Sequence, residues 1–274
     1  MPDILNNATK KFWEALDSFA NSTAGTNKVK AIPEQKQLVP KQSFDPLWYA
    51  EWNDDYLSVV LNNAVTHKCL KAIADKYYAS QVNDIVKHST ELTEESYPSI
   101  FCIYKHCVTS LKIKETPSVF ITNKLKGINA LSIETQGKQF ILLGRKTTML
   151  LSESELAFLL GHELGHHQQG NLVCHTVNGL MNNFVKFSDV FGPMLFDTIE
   201  IPLKRWCKQS EFNADRAGFL CCKNLKAIRS LFLKAGMIES PSIYHRFKET
   251  GEDHPMLNTR LKQLKKYVEH LKMC

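Results

Sequence analysis

The sequence predicts an α+β fold that is mainly helical, with a small β-sheet placed directly before one helix of distinctive chemistry. Three observations predict it. Apolar residues recur at spacings of three and four through most of the 274-residue chain, as in helices that bury one face. Short runs rich in β-branched and aromatic residues are confined to residues 117–144. Between Ser152 and Gly170 a helical pattern carries His162-Glu163-Leu164-Gly165-His166. With 43% hydrophobic residues the chain has ample material for a core.

In chain order, Ile4, Leu5, Ala8, Phe12, Leu16 and Phe19 give an amphipathic helix over residues 3–20. It either packs on the body or makes peripheral contact with a membrane surface, although only Lys10 and Lys11 are basic there. Residues 21–46, polar and carrying Pro33, Pro40 and Pro46, read as a linker or strap. Residues 1–46 thus form an extension, and 47–274 the domain. From Leu47 to about Ser89 two or three helices fit, and Tyr97 to Leu111 is another of core type.

Three strand segments follow: Pro117 to Thr122, Ile128 to Glu134 and Gln139 to Leu143, with Gly127 and Gly137 at the breaks. The intervening Thr135-Gln136-Gly137-Lys138 predicts a hairpin. Such a sheet is either purely structural or presents an edge strand, beginning at Asn129 and Ala130, that holds an extended peptide by main-chain hydrogen bonds.

Ser152 and Glu155 form a capping-box pattern that starts the next helix. Leu156, Leu159, Leu160 and Leu164 give its apolar stripe, and Gly170 suits the position just past its end. Four residues of helix advance about 400°, so the imidazoles of His162 and His166 share a face one turn apart and can bind one metal ion. Glu163 stands where a carboxylate can take a proton from metal-activated water. A surface helix with two solvated histidines would not explain Glu163 among apolar neighbours.

A catalytic zinc ion needs a third protein ligand. Gln169 and Leu172 stand where the pattern H-E-x-x-H-x-x-G-x-x-H requires glycine and histidine, so the ligand comes from elsewhere. Glu211 in Ser210-Glu211-Phe212-Asn213-Ala214-Asp215 is the best candidate. Asp215, four residues on, shares its face and can accept a hydrogen bond from the far nitrogen of a ligand histidine. Ala214, Ala217 and Gly218 are small enough to admit a neighbouring helix. A solvated pair of carboxylates is the bland alternative.

The segment from Asn171 to Val185 is uncharged but broken by Asn and Thr, and falls short of a membrane span. Val185 to Phe196 reads as a loop or broken helix that could cover the site. Asn224 to Met237 holds a helix ending at Gly236, and Met256 to Met273 an amphipathic one with Leu257, Leu261, Leu264, Val268 and Leu271 inward. The net charge of +6 is spread along the chain and predicts no nucleic-acid partner. Eight cysteines without a C-x-x-C pair, two of them adjacent at Cys221-Cys222, read as reduced thiols. With no signal-peptide pattern at Met1, the expected location is the cytoplasm, signal-less secretion being the alternative.

The motif H-E-L-G-H, then E-F-N-A-D, with I-N-A before and D-H-P-x-x-x-x-R after, resembles the HtpX and CAAX-prenyl-protease family of zinc metallopeptidases across residues 95–265. The resemblance implies a zincin-like fold of the gluzincin type. One Zn2+ per chain would be held by His162, His166 and Glu211, with Glu163 as general base and endoproteolysis of protein or peptide substrates as the activity. It further implies that His254 lies near the site, where it would donate to the oxyanion or serve in packing, and that Arg260 braces the carboxylates. Family members often carry flanking transmembrane helices; this sequence shows none and resembles the soluble branch. A zinc-bearing chaperone or interaction module with an occluded site is the second reading, against which the presence of a base beside the ligands argues. Nothing in the pattern gives the oligomeric state.

Overall fold

The computed structural model describes residues 49–50, 64–125, 127–170, 172–175, 193–235 and 257–271. The predicted helix at 3–20, the strap at 21–46, the segment 176–192 and His254 lie outside the described residues. The elements are α1 (Ala64–Lys87), β1 (Thr90–Glu91), α2 (Pro98–Ser110), β2 (Ser118–Thr122), β3 (Ala130–Thr135), β4 (Lys138–Gly144), α3 (Arg145–Leu150), α4 (Glu153–Gln168), α5 (Pro193–Cys222), α6 (Leu225–Lys234) and α7 (Leu257–Leu271). The fold is α+β and mainly helical.

Strand order is β1-β2-β4-β3. β2 runs parallel to β4, while β1 and β3 are antiparallel to their neighbours. The three predicted strands are present. β1 was not among them, because two residues are too few to show an alternation; Thr90 and Glu91 pair with Ile121 and Phe120. Between β3 and β4, Gln136 (φ 51°) and Gly137 (φ 69°) both occupy the left-handed region, which is the two-residue turn whose twist matches a hairpin.

β3 is an edge strand. The Gly144 N–H donates to Asn129 O at 3.0 Å, so the facing pair Ala130 and Leu143 is of the non-hydrogen-bonded kind. The alternation therefore turns the backbone groups of Ala130, Ser132 and Glu134 to the outer edge, where no strand pairs among the described residues.

Side-chain alternation divides the sheet between two cores. Ile133, Phe140 and Leu142 meet Val82 of α1 on one face. Val119, Ile121, Ile141 and Leu143 join the large core with α2, α4, α5, α6 and α7 on the other. α1 is one helix over residues 64–87, and residues 51–63 of the stretch expected to hold two or three helices lie outside the described residues; α5 already includes residues 193–196, which the sequence suggested as loop or broken helix. Within α7, Leu264 and Val268 are buried as expected, whereas Leu271 is exposed.

α4 is central. Both halves of its capping box form: Ser152 Oγ accepts from the Glu155 N–H at 3.4 Å, and the Ser152 N–H donates to Glu155 Oε2 at 2.7 Å. Gly170 follows its C-cap with φ +78°. The helix is buried on all sides from Glu155 to His166 except at Leu159, more than an apolar stripe predicts. Glycines allow this. A Cβ on Gly161 would lie 2.6 Å from Cys221 Sγ and 3.0 Å from Gly218 Cα, and one on Gly165 would lie 2.8 Å from Ala217 Cβ. The α4 and α5 backbones approach until only hydrogen atoms fit between them.

Candidate metal centre

The close approach of α4 and α5 brings their polar faces together. His162 and His166 sit one turn apart on α4, Glu211 and Asp215 one turn apart on α5. Glu211 Oε1 lies 3.3 Å from His166 Nε2, and Oε2 lies 3.6 Å from His162 Nε2. The two Nε2 atoms are 3.1 Å apart. All three residues are buried, and their donor atoms lie within 4.8 Å of one another.

Behind this cluster stands a charged frame. His162 Nδ1 meets Asp215 Oδ1 at 3.1 Å. Arg260, from α7, donates to Asp215 through Nε at 2.8 Å and Nη2 at 2.6 Å, and its Nη1 is 3.2 Å from Glu211 Oε2. The guanidinium also lies 5.2 Å from the ring centroid of Phe232. Burial alone would raise the Asp215 pKa, but the Arg260 charge and hydrogen bonds outweigh it and hold the carboxylate below its ordinary value. Burial alone would lower His162; the Asp215 hydrogen bond and the Glu211 charge reverse that and raise it. Arg260, buried between carboxylates, is raised further above its already high value against the opposing effect of burial.

Donor chemistry tests whether a metal fits. With the Asp215 carboxylate at Nδ1, His162 carries its proton there and presents a bare Nε2. That lone pair faces a second ring nitrogen and a carboxylate among largely buried side chains, an arrangement repulsive in itself. A cation at the point of convergence removes the repulsion. Two imidazoles and one carboxylate therefore fit a metal ion, with a further position left for water or substrate.

Glu163 is buried on the same helix. Its Oε2 lies 2.7 Å from Ser132 Oγ on β3, and its backbone oxygen 2.9 Å from the same hydroxyl. Ser132 escaped the sequence reading; its only signal was a small polar residue at an inward-facing position of a strand. Of the two residues suggested at the edge strand, Ala130 begins β3 and turns its backbone outward. Asn129 lies just before it, its carbonyl accepting from Gly144 N–H at 3.0 Å and Thr147 Oγ1 at 2.9 Å. The helical turn at 172–175 adds His175, whose ring centroid is 4.2 Å from that of His166. Ser210 Oγ lies 3.3 Å from His166 Nδ1, a contact no linear pattern announces. Among the described residues six cysteines, Cys102, Cys107, Cys174, Cys207, Cys221 and Cys222, carry free thiols, and none belongs to the cluster.

Among the described residues no helix is long and apolar enough to cross a membrane. The sequence model of peptidase family M48 matches residues 95–268, a span that contains His162, Glu163, His166, Glu211, Asp215 and Arg260. A curated relative, the plastoglobule-localized metallopeptidase 48 of Arabidopsis thaliana chloroplasts, is 32% identical over 107 residues. That alignment covers 39% of this chain and 31% of the relative, so the matched part spans about a third of the relative's length. The family match over well more than half of the chain, on a mainly helical fold with a buried His-His-Glu cluster, agrees with the resemblance to the HtpX and CAAX-prenyl-protease group: the chain belongs to peptidase family M48, a family of metal-dependent peptidases acting on proteins or peptides.

Proposed function

We propose that the chain is a zinc metalloendopeptidase that hydrolyses internal peptide bonds of protein substrates. The convergence of His162, His166 and Glu211 beside Glu163 carries this reading. The two-nitrogen, one-oxygen donor set suits zinc, which when bound supplies a Lewis acid that polarises a carbonyl and acidifies water. Glu163 is the general base. The Ser132 hydroxyl donates to Oε2 at 2.7 Å, which leaves Oε1 to take the proton from the attacking water and return it to the departing amine. Asp215 holds the His162 ring by Nδ1, and Arg260 balances the two buried carboxylates. The outward backbone groups of Ala130, Ser132 and Glu134 are placed to bind an extended substrate as an added strand. His254 is the proposed oxyanion donor.

The test is cleavage of casein by the wild type and by Glu163→Gln, with metal content measured on both. The substitution should retain the metal and lower the rate by about 10²–10⁴-fold; full activity overturns the assignment. Glu211→Ala should lose the metal, which elemental analysis reads directly. A chelator that leaves cleavage intact would exclude the metallopeptidase reading.

A further inference from the structure

Gln169 and Ser210 form a chain of hydrogen bonds behind His166 whose direction is determined at each link. The Gln169 amide Nε2 lies 3.1 Å from Gly165 O and 3.3 Å from Ser210 O. Both are acceptors, so the amide nitrogen must face them, and the opposite orientation would set Oε1 against two carbonyl oxygens. Oε1 therefore faces Ser210 Oγ, 2.7 Å away, and accepts the one proton that hydroxyl owns. With its hydrogen committed, Ser210 Oγ can only accept from its remaining neighbours. Those are His166 Nδ1 at 3.3 Å and His175 Nε2 at 2.8 Å. Ser210, Gln169 and His166 are buried, so no bulk water offers a substitute partner.

We infer that Ser210, oriented by Gln169, is a positioning residue that holds His166 in the Nδ1–H tautomer and so presents a bare Nε2 to the metal. This rests on the metal-site reading above and deepens it. The same task is done for His162 by Asp215, a carboxylate that can only accept. A serine hydroxyl is ambivalent, because it could equally donate to Nδ1 and force the proton onto Nε2, where it would block metal binding. Gln169 removes that ambiguity, although its side-chain hydrogen bonds go to Gly165 and Ser210 and not to a candidate ligand side chain. His175 presses in the same direction: its Nε2 occupies the second lone pair of Ser210 as a donor, and its ring packs against Trp206 with centroids 5.1 Å apart.

The experiment uses the full chain, metal-free, with 15N-labelled histidine. Long-range 1H–15N imidazole spectra report directly which nitrogen of His166 carries the proton. The wild type should show Nδ1–H; a protonated Nε2 with bare Nδ1 overturns the inference, whatever the variants do. In Gln169→Leu the hydroxyl is released, so His166 should become a mixture of tautomers. Zn2+ affinity, read by competition with a chromogenic chelator, should fall about 10- to 100-fold. Ser210→Ala should weaken Zn2+ by a similar factor. Unchanged tautomer and affinity in either folded variant also overturn it. Failure of the wild type to cleave casein would refute the peptidase reading while leaving the tautomer result standing, so the two failures are distinguishable.

Discussion

Replacing Gly165 by alanine sets a Cβ 2.8 Å from Ala217 Cβ and 3.0 Å from Ala214 Cα, atoms that cannot swing aside. Helix propensity favours alanine by about 1 kcal/mol, whereas overpacking a rigid core costs about 1–3 kcal/mol. Overpacking wins. Gly165→Ala should lower stability by up to about 2 kcal/mol in urea denaturation, and by pushing α5 away it should weaken metal binding as well. An unchanged midpoint would show that the two helices have slack. The facing small residues Ala214, Ala217 and Gly218 were legible in the sequence because several small side chains close to a pair of carboxylates imply a close neighbour. Ser210 and Gln169 were not, since their roles depend on which atom faces which across elements far apart in sequence. Ser132 makes a further residue-scale prediction. Ser132→Ala should lower kcat for casein by about 10-fold with little change in KM, because the substitution removes the hydroxyl that orients the proposed base and leaves the proposed substrate-binding backbone in place. An effect confined to KM would reassign Ser132 to substrate binding.

At the scale of the element, the capping box of α4 extends beyond its own helix. Lys234 of α6 reaches Glu155 Oε2 at 2.7 Å and Leu150 O at 3.2 Å, so one carboxylate joins the start of α4 to the end of α6. Burial alone would raise the Glu155 pKa; the hydrogen bonds from Lys234, Ser152 and Ser230 outweigh it and bring the value from 4.5 to about 2. A carboxyl depressed on folding contributes stability above its unfolded pKa and loses it as pH falls through the folded one. The window is therefore about pH 4.5 down to about 2. Because Lys234 is partly exposed, the contribution is discounted to about 1–2 kcal/mol. Wild type should lose that much relative to Glu155→Gln across this window; parallel stability curves would refute the link. The box itself was legible because its residues are adjacent in sequence, as were three strands by their composition. The lysine that completes the box lies 79 residues away and left no local trace.

At the scale of the whole molecule, the site joins three helices. α4 supplies two histidines, α5 two carboxylates and α7 one guanidinium. Among the described residues Arg260 directly bridges both carboxylates, and the proposed zinc would be a further positive charge against them. The two should therefore share the work of compensation. A metal bound only by the folded chain stabilises it by about 2.7 kcal/mol when present at 100 times its Kd. In the wild type a chelator should accordingly lower Tm by several degrees. Removing one partner of a buried ion pair typically costs about 3–5 kcal/mol, because the other charge is left uncompensated. Arg260→Met should thus be unstable chiefly when metal-free, since bound zinc would still neutralise Glu211 and draw on the field of Asp215. The chelator-induced fall in Tm should be larger in Arg260→Met than in the wild type, although the variant starts lower. Equal shifts would mean that metal and arginine act independently, and that Arg260 serves α7 packing against Phe232 rather than the charge balance of the site.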